Sequence, residues 1–146
     1  MNRGMTDKLL ADASRCGLFH LNAEQRTALV PQATAAGLRL HSLDLSKCRS
    51  PGSCLQTIGE ILSFPDWYGA NLDALVDCLC DPDWQASGGD ILMLAGVDRL
   101  RKADRKGTDK LLEALSAASA ECSDNGRPLW ILVDRPLSGV PPFPER

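Results

Sequence analysis

Among side chains able to do chemistry, Asp73 and Asp77 stand out, four residues apart. At that spacing both carboxylates project from one face of a helix. Two close acids can act as acid and base on a glycosidic bond, but such pairs come from separate elements flanking the bond. Nothing else in the chain supports an enzyme, so no residue is assigned a catalytic role. The pair carries a cost instead. Like charges at i and i+4 destabilise a helix by about 0.2–0.5 kcal/mol. Asp73, near the helix start, recovers some of this from the helix dipole; Asp77 recovers less. Two acids kept together with no Lys or Arg nearby form a local inconsistency of the kind that functional sites carry.

Metal and nucleotide chemistry fail on spacing. Cys78-x-Cys80 sets its thiols about 200° apart around a helix, and neither His20 nor His41 has a partner at ligand spacing. Cys16, Cys48, Cys54 and Cys122 are isolated in sequence, and no G-x-G-x-x-G or Walker pattern follows a strand. No metal and no cofactor is expected. The six cysteines are expected to remain reduced as small core residues.

The residues before the acidic pair sharpen its meaning. Phe64-Pro65-Asp66-Trp67-Tyr68-Gly69-Ala70-Asn71 is a loop with three aromatics that leads directly into the helix. Exposed Trp and Tyr beside acids make good contact anchors, and Gly69 permits a close backbone approach. Tyr68 serves equally well as a plug for the core. Charge follows the same map: from Pro51 to Asp98 there are eight acids and no Lys, Arg or His. That segment carries −8, so the total of −3 leaves +5 for the flanks. Such a field is either a solvated face or a surface that attracts a positive partner.

These residues need elements to position them. A chain of 146 residues, 44% apolar and 24% charged, suits one domain and buries roughly 68–70% of its unfolded surface. No apolar run is long enough for a membrane span. Residues 1–15 read as frayed, with a short helix around Lys8 to Ser14 and no apolar signal core, which points to the cytoplasm. Gly17–Leu21 reads as a buried strand. A helix over Glu24–Ala36 follows, with Asn22 as cap, Gly37 as stop and Pro31 as a break or kink. Leu38–Leu45 alternates as a strand, with Leu38, Leu40, Ser42 and Asp44 on one face. Ser50-Pro51 opens a helix that ends at Phe64-Pro65. Asn71 caps the acidic helix, which ends at Asp81-Pro82. Asp90–Gly96 is a strand covered on both faces, Thr108–Ala120 a long helix, and Leu129–Val133 the last strand. The order β-α-β-α-α-β-α-β calls for a mostly parallel sheet with right-handed crossovers.

The run Phe64 to Leu79, with its aromatic-Tyr-Gly-x-Asn-Leu-Asp-Ala-Leu-x-Asp pattern, closely resembles the signature loop and helix of the barstar family of intracellular ribonuclease inhibitors. A weaker resemblance extends from about Leu38 to Val133. Residues 1–37 fall outside it and resemble the extension of longer bacterial members. The resemblance implies an α/β domain in which a small parallel sheet, here of about four strands, is packed by helices. It also implies that the acidic helix and its loop plug a ribonuclease active site, with carboxylates standing where RNA phosphates would sit. Carried over by position, Asp77 matches the central inhibitory aspartate and Asp73 its companion, while Gly69 and Asn71 match the loop. Trp67 stands where barstar has Tyr, which removes a hydroxyl. Val76 replaces a Trp at the contact edge. Ala117 takes the place of a third acid, with Glu113 and Glu121 about one turn away. The basic residues Arg99, Arg101, Lys102, Arg105 and Lys106, just outside the acidic segment, would disfavour barnase itself as partner.

The sequence therefore predicts three segments: an extension over 1–37, a barstar-like domain over 38–136 and a Pro-rich tail over 137–146. The expected function is that of a bacterial, cytoplasmic immunity protein of the toxin–antitoxin kind, whose partner is a basic extracellular-type ribonuclease or ribonuclease toxin. Neither nucleic acid nor membrane is an expected direct partner. The alternative keeps the fold but makes it an interaction adaptor with no nuclease partner.

Overall fold

The computed structural model describes residues 8–144. Its strands are β1 (Leu18–His20), β2 (Arg39–Asp44), β3 (Asp90–Ala95) and β4 (Leu129–Val133). They form one four-stranded sheet in the order β1-β4-β3-β2, with every pairing parallel. This is the α/β architecture the strand–helix alternation predicts, and β1 supplies the added edge strand. The helices are α1 (Ala23–Ala36), α2 (Pro51–Ile61), α3 (Leu72–Leu79), α4 (Val97–Ala103) and α5 (Arg105–Asp124).

Alternation along the strands gives the sheet two apolar faces. Leu43 and Leu45, Leu92 and Leu94, and Leu129, Ile131 and Val133 face a core closed by α2, α3, α4 and α5. Ile91, Trp130, Leu132 and Leu38 face a smaller core closed by α1, with Leu21, Leu29 and Ala33. A parallel sheet buried on both sides reads as nearly continuous apolar runs, which β3 and β4 show.

Several expectations change on contact with tertiary structure. Helix α1 runs unbroken through Pro31. Pro31 and Thr27 are both exposed, so the Thr27 carbonyl that loses its helical donor can be hydrated instead. Residues 8–15 are not frayed. Leu9 and Leu10 are buried in the smaller core, and Trp130 Nε1 donates to the Leu10 carbonyl at 2.8 Å. A helical turn at 8–11 precedes a 3₁₀ turn at Ala13–Arg15; residues 1–7 lie outside the described residues. The Pro-rich end is also tied down. His20 N donates to Pro141 O at 2.9 Å, Phe143 N donates to His20 O at 2.8 Å, and Phe143 is buried. These bonds cover the backbone groups that an edge strand otherwise leaves open. Helix α4 was not expected, and α5 starts earlier than Thr108, because the Asp104 carboxylate accepts from Gly107 N at 2.8 Å as its cap.

One buried charge pins the start of β2 to β3. Arg39 and Asp90 are register partners, and Asp90 Oδ1 accepts from Arg39 Nε at 2.8 Å and His41 Nε2 at 3.0 Å. Asp90 Oδ2 accepts from Ala86 N at 3.0 Å. Burial pushes the Asp90 pKa up, but His41, the Ala86 amide and Arg39 together outweigh it and hold the carboxyl below its usual range. A depressed folded-state pKa adds stability above the unfolded value of about 3.9, and that stability is lost as pH falls through the folded pKa. Urea midpoints measured from pH 6 downwards should therefore fall more steeply below about pH 4 in the native chain than in Asp90→Asn. Parallel slopes would remove Asp90 from the acid limb.

Candidate functional site

The acidic helix α3 is short, and three features hold it. Asn71 caps it, its side chain accepting from Ala74 N at 2.8 Å. Leu75, Cys78 and Leu79 are buried beneath it. Its opposite face carries Asp73 and Asp77, both exposed. Among the described residues neither forms a salt bridge; the ion pairs involve Asp90 and Asp109. Asp73 lies in the first turn, where the dipole favours an anion. The negative field reaches the interior: burial first, then the Asp81 and Asp77 charges, push the Cys78 thiol up to about 11.

The loop before α3 is built on an aromatic ladder. Phe64 sits edge-on to Tyr68 at 4.9 Å and to Trp84 at 5.5 Å between ring centroids. Tyr68 is buried and its hydroxyl donates to Leu55 O at 2.7 Å. Burial and the nearby Cys78 push its pKa up to about 12. Tyr68 thus plugs the core rather than offering a contact. Gly59 on α2 makes room for its ring: a Cβ there would come within 2.4 Å of Tyr68 Cε2. Gly59→Ala should therefore displace the ring and lower stability by about 1–3 kcal/mol, readable by urea denaturation. An unchanged midpoint would show that the ring moves freely.

After Tyr68 the chain bends sharply. Gly69 and Ala70 both take positive φ, +39° and +48°, the second an uncommon and strained choice for a residue with a Cβ. Trp67 is left 56% exposed on one side of the bend, and Asn71 enters the helix on the other. Trp67, Gly69, Asn71, Asp73 and Asp77 are all exposed, along the loop and the outer face of α3. Val76 is half-buried and packs against the main core, so much of its side chain is withdrawn from that surface.

A further acid approaches from α5. The exposed Glu121 carboxylate lies close enough to Cys80, at the end of α3, to help push that thiol up. Glu121 was one of two acids the sequence placed near the substituted Ala117. The other, Glu113, lines a groove of about 440 Å³ with Arg105 and Lys110. Sequence reasoning also missed Trp84, which supports the loop through Phe64 and donates from Nε1 to Leu62 O at 2.9 Å. Its only sequence signal was an aromatic among acids and turn residues.

The arrangement is a convex, negatively charged helix flanked by one exposed indole. It can oppose a positive cleft on another macromolecule. Among the described residues no group of three or more His, Cys, Asp or Glu is placed to hold a metal ion.

Comparison with known proteins bears on the fold and the family. No curated protein matches the chain. A solved structure titled "Structure of Drosophila ORC bound to DNA" contains a chain that matches with a TM-score of 0.57 at 20% identity, over 92% of this chain and 36% of that one. The protein thus spans little more than a third of that chain's length, and the likeness is one of fold alone. The family model described as "Barstar (barnase inhibitor)" matches residues 38–134, the stretch that holds the sheet from β2 to β4, the bent loop and α3. The chain belongs to the barstar family.

Proposed function

We propose that the chain blocks the active site of a basic ribonuclease, presenting α3 and the loop before it to the enzyme's phosphate-binding cleft. The observation that carries this reading is the exposed, unneutralised pair Asp73 and Asp77 behind a strained bend that leaves Trp67 in solvent. Asp77 opposes the catalytic cations, Asp73 extends the contact by one turn, and Glu121 adds a third carboxylate from α5. Gly69 and Asn71 set the loop geometry, Trp67 is the apolar anchor, and Val76 contributes a small apolar edge. Residues 38–136 form the inhibitory domain, residues 1–37 an extension and residues 137–146 a tail. The protein acts in a bacterial cytoplasm as the immunity partner of a ribonuclease toxin.

Electrostatics gives this reading a kinetic signature. Between Pro51 and Asp98 the charge is −8 with no compensating base, so association with a cationic cleft should be steered. Stopped-flow mixing with a basic ribonuclease should give a rate constant above the ~10⁵–10⁶ M⁻¹s⁻¹ of uncharged partners. Screening acts over about 10 Å at 0.1 M salt, so added salt should slow association far more than it changes dissociation. A salt-indifferent rate would make the acidic segment a solvated face and favour an adaptor with no nuclease partner.

A further inference from the structure

Two of the six cysteines meet where α3 packs on α5. Cys80 Sγ and Cys122 Sγ lie 3.3 Å apart, across a 42-residue separation in sequence. Their surroundings differ. Cys122 is fully buried and receives a hydrogen bond from Gln85 Nε2 at 3.1 Å. Cys80 is only half-buried and occupies the C-cap of α3, just past the regular helix. The hydrogen bond from Cys80, with the Gln85 amide, draws the Cys122 thiol down, whereas donation to Cys122 and burial push Cys80 up.

We propose that Cys80 and Cys122 are a redox modification site that closes to an intramolecular disulfide when a peroxide reaches Cys80. A disulfide needs sulfurs about 2.05 Å apart, so the pair must close by about 1.3 Å. The C-cap position of Cys80 lets the chain yield there without breaking a helix interior.

The two residues divide the chemistry. Cys80 reacts through its minor thiolate: the thiol, held protonated by its bond to Cys122 and by burial, first gives its proton to water. The sulfur then attacks the peroxide, the O–O bond breaks, and the hydroxide released takes up that proton and leaves as water, giving a sulfenic acid slowly. The Cys122 sulfur then attacks the Cys80 sulfur, the S–O bond breaks, and a second water carries off the Cys122 proton. Two thiols are oxidised and one hydrogen peroxide is reduced to two waters. Exposure makes Cys80 the sulfur the oxidant meets. The Gln85 amide makes Cys122 the resolving nucleophile.

The other cysteines lack this combination. Cys54 and Cys78 are fully buried, and burial pushes both thiols up. Cys16 donates to the Ala13 carbonyl at 3.1 Å. Cys48 neighbours Cys54 and so forms the rival pair.

The 146-residue protein treated with one equivalent of hydrogen peroxide, then mapped by mass spectrometry without reduction, tests the site without any nuclease. The expected product has lost two thiols and two hydrogens, and its linked peptides join Cys80 to Cys122. A thiol reductant should reverse it. Closing a loop of this length should raise the Tm. Cys122→Ser should give a dimedone-trapped sulfenic acid on Cys80 and no link. Cys80→Ser, a change at the less buried position, should leave Cys122 unreacted even if Cys122→Ser folds poorly. A Cys48–Cys54 link, oxidation of Cys122 in Cys80→Ser, or thiol loss with no link would each overturn the proposal. Six thiols left intact would do the same.

Discussion

Asp77→Ala should, on the proposed reading, weaken binding to the ribonuclease that α3 occludes by about 2–5 kcal/mol, roughly 30-fold or more in Kd. The range draws in part on this family's own complexes. Most of the loss comes from the partner: a cation buried in the interface is left without its counter-charge. Asp66→Ala serves as control, because Asp66 is also exposed but lies at the start of the loop rather than on the α3 face. It should change affinity little. Neither variant should lower stability by more than about 0.5 kcal/mol. Asp77→Ala should stabilise α3 slightly, since Asp73 and Asp77 repel at i and i+4. Equal losses for the two variants would show that the acidic segment acts as a diffuse field, with no central residue.

The largest effect on stability is expected from Trp130→Ala, a loss of about 3–5 kcal/mol. Trp130 is wholly buried in β4 and packs against Phe19 and Phe143 with ring centroids 5.7 and 5.4 Å apart. Truncation empties the centre of the smaller core. It also strands the Leu10 carbonyl, which accepts from Trp130 Nε1. Trp130 therefore ties together the N-terminal segment, β1 and the C-terminal segment. Thermal unfolding should shift down by about 10 °C or more, and protease should reach residues 8–16 first. A loss below about 1 kcal/mol would mean that these segments are dispensable to the core. Because Trp130 lies on the sheet face away from α3, the variant should still bind its partner while folded.

What was legible in the sequence had short-range causes. Asn71, Ser50 and Asn22 read as caps, and their side chains accept the capping hydrogen bonds. The apolar run of β3 read as a strand covered on both faces, and that of β4 as the last strand. The grouping of Asp73 with Asp77 followed from helical spacing alone. The illegible parts had long-range causes. Pro31 reads as a breaker until the exposure of its helix face is known. Leu9 and Leu10 read as part of a frayed terminus because their partner, Trp130, lies 120 residues away. Helix α4 is announced only by Val97 and Leu100 in a charged stretch. The approach of Glu121 to Cys80 follows from how α3 packs on α5, which no spacing along the chain encodes. Ala70 gives no sign of its positive φ, since an alanine carries no preference for that geometry.

The central claim is that α3 occludes a ribonuclease active site. It is tested most directly by titrating the protein into a panel of basic ribonucleases, barnase included, while following RNA cleavage. For the cognate enzyme, activity should fall to zero at one equivalent, excess RNA should compete, and the Asp73→Ala/Asp77→Ala double variant should not inhibit. Undiminished cleavage across the panel at excess protein, or equal inhibition by the double variant, would contradict the account.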